Sequence, residues 1–201
     1  MRMRVMALGV ALATSALSMG AQMPMGGAKA EPAAGTMAEP AKAIESQLNL
    51  IEGEMMGAVK AMPAENYNFA PSQAIFTPGQ KVQFATVRTF AQEVTHVAQA
   101  NYYFYSIASG QPMDSNVGAI GKMTKKEDIV AALAGSFAYA HKAIAAITAA
   151  NAFEVVKSPE PGMLATRATL AQFAISHAND HYGQIVEYLR MNGIVPPASA
   201  K

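Results

Sequence analysis

Apolar residues recur at helical spacing in four separate stretches of the chain, with no strand signal between them. In the first, Ile44, Leu48, Ile51, Met55, Val59 and Met62 fall on one face of a helix that starts after Pro40 and stops before Pro63. An irregular stretch with Pro71, Pro78 and Gly79 follows. The second helix is then expected from about residue 82 to 109, closed by Gly110. Thr124, with Glu127 three residues on, reads as a capping box that opens the third. The buried stripe of that helix is Ile129, Leu133, Phe137, Ala140, Ile144 and Ile147. The loop Ser158-Pro159-Glu160-Pro161-Gly162 leads to the fourth, about residues 164–192, which Gly193 caps and Pro196-Pro197 forbid from continuing. Four amphipathic helices without a strand predict an all-α fold, an antiparallel four-helix bundle.

Composition agrees with that pattern. Of 201 residues 51% are hydrophobic, many of them alanine, and 14% are charged, a balance that favours helix over sheet in one domain. A formal net charge of +1 leaves no electrostatic footprint for nucleic acid or an anionic membrane surface. Arg2 and Arg4 precede an uncharged stretch over residues 5–19, the layout of a secretory signal peptide. That stretch is short for a permanent membrane span, so an uncleaved anchor is the weaker reading. Residues 1–21 are therefore expected to be a leader, 22–40 a flexible linker, 41–197 the bundle and 198–201 a tail. Cleavage after Ser18-Met19-Gly20 or after Ala28-Lys29-Ala30 fits equally well. The mature protein is expected in the periplasm or outside the cell, with no membrane attachment. The absence of cysteine rules out disulfides, a thiol nucleophile and a lipid anchor. Met23 and Met25, two thioethers without His or Cys nearby, make a poor copper site.

The chemistry sits in four histidines, His96, His141, His177 and His181. His177 and His181 form H-x-x-x-H, which on a helix places two imidazoles about 40° apart and about 6 Å along the axis, within reach of one cation. They share a stripe with Leu170, Phe173, Ala174, Ile185 and Leu189, so they interrupt a buried face. Buried imidazoles need partners; a metal supplies one, and a hydrogen-bonded core supplies the other explanation. His96 shares its face with Thr89, Ala100, Tyr103 and Ile107, which allows an inward direction without demanding it. His141, at the edge of the third stripe beside Lys142, is expected to be partly exposed and no ligand. A metallopeptidase would need Glu directly after the first His of the pair, where Ala178 stands. A ferritin-like di-metal site would need two Glu-x-x-His motifs. Glu93-Val94-Thr95-His96 matches once, and Ala174 and Ala178 occupy the other two places. Glu93 and Asp180 are adjacent carboxylates able to orient a ligand histidine or act as base, although solvated helix charges are the preferred reading. Tyr102, Tyr103, Phe104 and Tyr105 cannot all face one core; one or two are expected to line a pocket or a dimer surface. Met55-Met56 could suggest haem ligation, but Met55 fits the core stripe and nothing else supports haem.

Three passages carry a resemblance. Val87-Arg88-Thr89-Phe90-Ala91-Gln92-Glu93-Val94-Thr95-His96, Ser176-His177-Ala178-Asn179-Asp180-His181-Tyr182-Gly183-Gln184 and Leu189-Arg190-Met191-Asn192-Gly193-Ile194-Val195-Pro196 are similar to the second helix, last helix and ending of the DinB-like (YfiT-like) superfamily of metal-binding bundles. The similarity spans about residues 41–197. Tyr182 stands where many members have arginine, which bears on contacts around the ligands and not on the ligands themselves. The resemblance implies a metal site of His96, His177 and His181 holding one divalent ion, zinc or nickel. It also implies a metal-dependent transferase or hydrolase acting on an unidentified small molecule, with a homodimer one common assembly. The competing reading is a non-enzymatic exported binding or interaction module whose histidines are structural.

Overall fold

The computed structural model describes residues 32–84, 86–113 and 115–200. The expected leader, its cleavage points and the Met23/Met25 pair lie outside the described residues. By its internal contacts the chain divides into Met1–Thr36 and Met37–Lys201, and the second unit carries every described helix. These are α1 (Pro40–Ala61), α2 (Phe90–Ser109), the single-turn α3 (Val117–Ile120), α4 (Lys126–Ala145) and α5 (Arg167–Met191). Among the described residues no strand forms; Val155 and Thr166 make one isolated bridge. No described helix is long and apolar enough to cross a membrane.

The expected stripes are the core. Leu48, Ile51, Met55 and Val59 of α1 and Ile129, Leu133, Phe137 and Ile144 of α4 are essentially inaccessible. Each such side chain contributes about 1.5–3 kcal/mol through burial. Helix ends are where the structure departs from expectation. The second helix starts at Phe90, not near residue 82, because Thr89 and Gln92 form a capping box that defines its first turn. The anticipated capping box at Thr124 and Glu127 does not form: the N-cap is Lys125, with no side-chain cap bond. Lys126 instead reaches across to α1, its ammonium donating to the carbonyls of Lys60 and Met62. It thereby satisfies acceptors that the end of α1 would leave open. The last long helix starts at Arg167, since Val156 N–H donates to the Ala165 carbonyl and holds that segment extended.

In the bundle α2 packs on α4 and α5, and α1 packs on the same two. Side-chain pairs reveal the directions. Tyr188 bonds the Arg88 carbonyl at one end of the α2–α5 pair, and Arg167 bonds the Ala108 carbonyl at the other, so the two helices are antiparallel. His141 meets Glu45 while Lys126 meets Met62, so α1 and α4 are antiparallel as well. The other neighbours, α1 with α5 and α2 with α4, run parallel. The Gln47–Gln172 and Asn101–Ser136 bonds tie them. Two parallel neighbours need a connection that returns along the bundle. A 20-residue helix is about 30 Å long, and the 110–125 segment with α3 covers that return.

Candidate metal centre

The site depends on how α2 is seated at its first turn. Gln92 N–H donates to Thr89 Oγ1 (3.2 Å), and Thr89 N–H donates to Gln92 Oε1 (2.9 Å). The N–H groups of Phe90 and Ala91 donate to the carbonyls of Phe69 and Tyr67. With its leading amides tied down, α2 has a set rotation, and Glu93 and His96, one turn apart, both reach α5. From α5, His177 and His181 come from successive turns, as i, i+4 residues must.

The three imidazoles converge. His96 Nε2 and His177 Nε2 are 3.2 Å apart, as are His181 Nε2 and His177 Nε2. Taking one nitrogen from each ring, all three lie within 4.8 Å of one another. Behind them, His181 Nδ1–H donates to Glu93 Oε2 at 2.5 Å. That bond fixes the His181 tautomer and leaves its Nε2 lone pair aimed at the other two rings. Glu93 is only 2% exposed and His181 5%. A carboxylate so deeply buried needs this partner. The expectation that Glu93 is a solvated helix charge is thus corrected: packing of α2 on α5 removes it from water. Asp180 is exposed, as expected, and accepts a bond from Gln184.

Burial keeps the His177 and His96 rings unprotonated. Burial, reinforced by the nearby His181 and His96, pushes His177 down to about 4. Burial, with Arg88 and His181 beside it, also lowers His96. Both rings are neutral at pH 7 and offer lone pairs. His177 Nδ1 is buried with no hydrogen-bond partner. The edge-to-face contact of His177 with Phe104, centroids 5.3 Å apart, packs that ring instead.

The donor set fits a metal ion. No assignment of neutral tautomers gives every one of these inward nitrogens its own donor, because His181 spends its N–H on Glu93. One cation accepts all three lone pairs at once. Two imidazole nitrogens bound to a tetrahedral ion at about 2.0–2.1 Å stand roughly 3.3–3.4 Å apart. The observed 3.2 Å separations are close to that spacing.

His96 also forms part of the wall of an open cleft of about 370 Å³, with Arg88, Gln92, Thr95 and Gln99 around it. Thr86, on the same wall, holds φ at 70°, a left-handed conformation rare for a β-branched residue. Arg88 Nη1 lies 3.8 Å from Glu93 Oε1, and its side chain is 43% exposed. Nothing in the sequence reading singled out Arg88. The available signal was its position just ahead of the Thr89 cap, at the open end of the helix that carries His96.

His141 stands apart from the triad, and it is partly exposed, as its place at the edge of the third stripe suggested. Its Nδ1 meets Glu45 (2.6 Å) and its Nε2 meets Glu52 (2.7 Å). Of the aromatic run, Phe104 and Tyr105 are buried, Tyr102 is partly buried and Tyr103 is 40% exposed. Only Phe104 touches a triad ring among the described contacts. The model of one family, the DinB superfamily, matches residues 47–185, a span that includes all three histidines. No curated protein matches the chain.

Proposed function

The chain belongs to the DinB superfamily, and from that premise we propose that His96, His177 and His181 bind one divalent metal ion, zinc or nickel. We infer further that the mature protein works outside the cytoplasm as a metal-dependent transferase or hydrolase on a small molecule. The observation that carries the reading is the convergence of three Nε2 atoms from two helices distant in sequence, with Glu93 behind one of them. Borderline nitrogen donors suit zinc and nickel and leave calcium and magnesium, which demand oxygen, without ligands. Export is supported by the basic start and short apolar stretch of the first 19 residues.

When bound, a divalent ion held by three neutral imidazoles keeps its full charge and an open position, and so lowers the pKa of a bound water or thiol or polarises an oxygen. The protein's own residues prepare that centre. Glu93 accepts a hydrogen bond from His181 Nδ1–H and holds the ring in one orientation. Phe104 packs edge-to-face against His177. The cleft beside His96 gives a small molecule a way in.

Elemental analysis of protein purified without a histidine tag and reconstituted with zinc or nickel tests the reading. About one ion per chain is expected, largely lost in His177→Ala. A protein that takes up no ion after reconstitution, yet is destabilised when the histidines are replaced, would overturn it in favour of structural histidines.

A further inference from the structure

We propose that the cleft beside the triad binds a small organic carboxylate, its acid group paired with Arg88 while a second donor atom of the same molecule reaches the metal. The proposal rests on the metal reading above and adds to it the class of ligand. Its basis is the charge and hydrogen-bonding state of the cleft walls. Arg88 supplies a guanidinium with five N–H donors, and no carboxylate lines the cleft with it. Its one described ion pair is the 3.8 Å approach to Glu93, whose other oxygen is already taken by His181 at 2.5 Å. Donor capacity on Arg88 is therefore left over, at the mouth of a cleft that His96 helps to wall.

Neighbouring groups sharpen the preference. Gln92 uses its side-chain oxygen on the Thr89 N–H, so its amide NH₂ is the end left to donate into the cleft. The leading backbone amides of α2 are all bonded, so the helix start itself offers an anion nothing. Anion recognition here belongs to side chains. A bound divalent ion would add two positive charges where three imidazoles add none, against the single buried charge of Glu93. The cleft would then be positive, which disfavours cations and gives an anion an advantage over a neutral molecule of equal shape. A volume of about 370 Å³ suits a small metabolite and is too small for a folded peptide segment.

The test uses the whole protein with cobalt(II) in the site, titrated with mercaptoacetate and with 2-mercaptoethanol. The two probes share a thiol donor and differ in the carboxylate. The chain contains no cysteine, so a thiolate-to-cobalt absorption band reports only the probe. Mercaptoacetate is expected to bind about fivefold more tightly than mercaptoethanol, a modest ratio because Arg88 is part-exposed and screened. In Arg88→Gln the two affinities should become equal, with cobalt content and melting temperature unchanged. Added salt should shrink the difference in the native protein. Equal affinities in the native protein, or a preference that survives Arg88→Gln, would overturn this proposal while bound cobalt leaves the metal reading standing. A native protein that takes up no cobalt would overturn both. If inorganic phosphate displaces mercaptoacetate at lower concentration than acetate does, the carboxylate assignment falls in favour of a phosphate.

Discussion

Two clusters in this bundle put histidine to opposite uses. Between α2 and α5, three rings turn nitrogens toward each other and only His181 has a carboxylate, on its far nitrogen. Between α1 and α4, His141 has a carboxylate on both nitrogens, Glu45 on one and Glu52 on the other. The consequences run in opposite directions. Burial, with Arg88 and the crowding of the rings beside it, holds His177 and His96 below the ordinary imidazole range, so their lone pairs are free at neutral pH. Burial also pulls His141 down, but the bonds and charges of Glu52 and Glu45 more than offset it and leave His141 raised. A ring that donates from both nitrogens has no lone pair for a metal. One carboxylate behind a histidine leaves its other nitrogen a lone pair to offer, and two make a cationic clamp.

Removing the metal should show the contrast most strongly. At zinc concentrations about 100 times its dissociation constant, the ion should add about 2.7 kcal/mol of stability. For a chain of this size that is roughly 5–10 °C in melting temperature, reversed by chelator and absent in His177→Ala. His141→Gln should leave the zinc-induced shift intact. Next in size, Glu93→Gln should weaken zinc binding about 10–100-fold, because a neutral amide oxygen replaces the charged acceptor that holds His181 and raises its basicity. Asp180→Asn, an exposed neighbour of the same histidine, should change affinity by no more than about twofold. Competition against a fluorescent zinc chelator measures both.

The two clusters should also bend the pH profile of metal-free protein in opposite senses. With its folded pKa near 4, His177 binds fewer protons than in the unfolded chain, so stability falls as pH drops from about 6.5, by on the order of 2 kcal/mol after solvent screening. His141 has a raised folded pKa, so its contribution is complete below the ordinary value of about 6.5 and fades as pH rises through the folded value. That part-exposed clamp, with Lys42 beside it on the same groove, is worth about 1 kcal/mol or less. Urea midpoints across pH 4–9 should lose the acid limb in His177→Gln and the neutral-side decline in His141→Gln. The smallest difference concerns the helix that carries His96. Thr89→Ala should cost about 1 kcal/mol, whereas Thr124→Ala should be silent within about 0.5 kcal/mol.

Much of the bundle was legible along the chain, because hydrophobic periodicity is a local property. Ile44 to Met62 and Ile129 to Ile147 were readable as buried stripes from their spacing, and they are buried. Helix starts were less legible. Thr-x-x-Gln at residues 89–92 and Thr-x-x-Glu at residues 124–127 look alike as strings. The first caps α2, while at the second the chain turns helical one residue later and Lys126 is drawn to the end of α1. Glu93 was half legible. Its Glu-x-x-His spacing marked it as a neighbour of His96, yet its partner turned out to be His181, 88 positions away in the chain.

The residue string by itself determined the helices, their apolar faces and the pairing of His177 with His181, since a fixed helical repeat converts a spacing of four into a shared face. That His96 joins them was carried in the sequence only by the family resemblance, not by any spacing; tertiary structure brings it there, and it alone decided that Glu93 is buried behind His181 and that Arg88 stands at the cleft. Those facts depend on how far each of two helices is rotated and slid against the other. Rotation and slide are set by the sum of packing across the whole interface, and no local spacing records that sum.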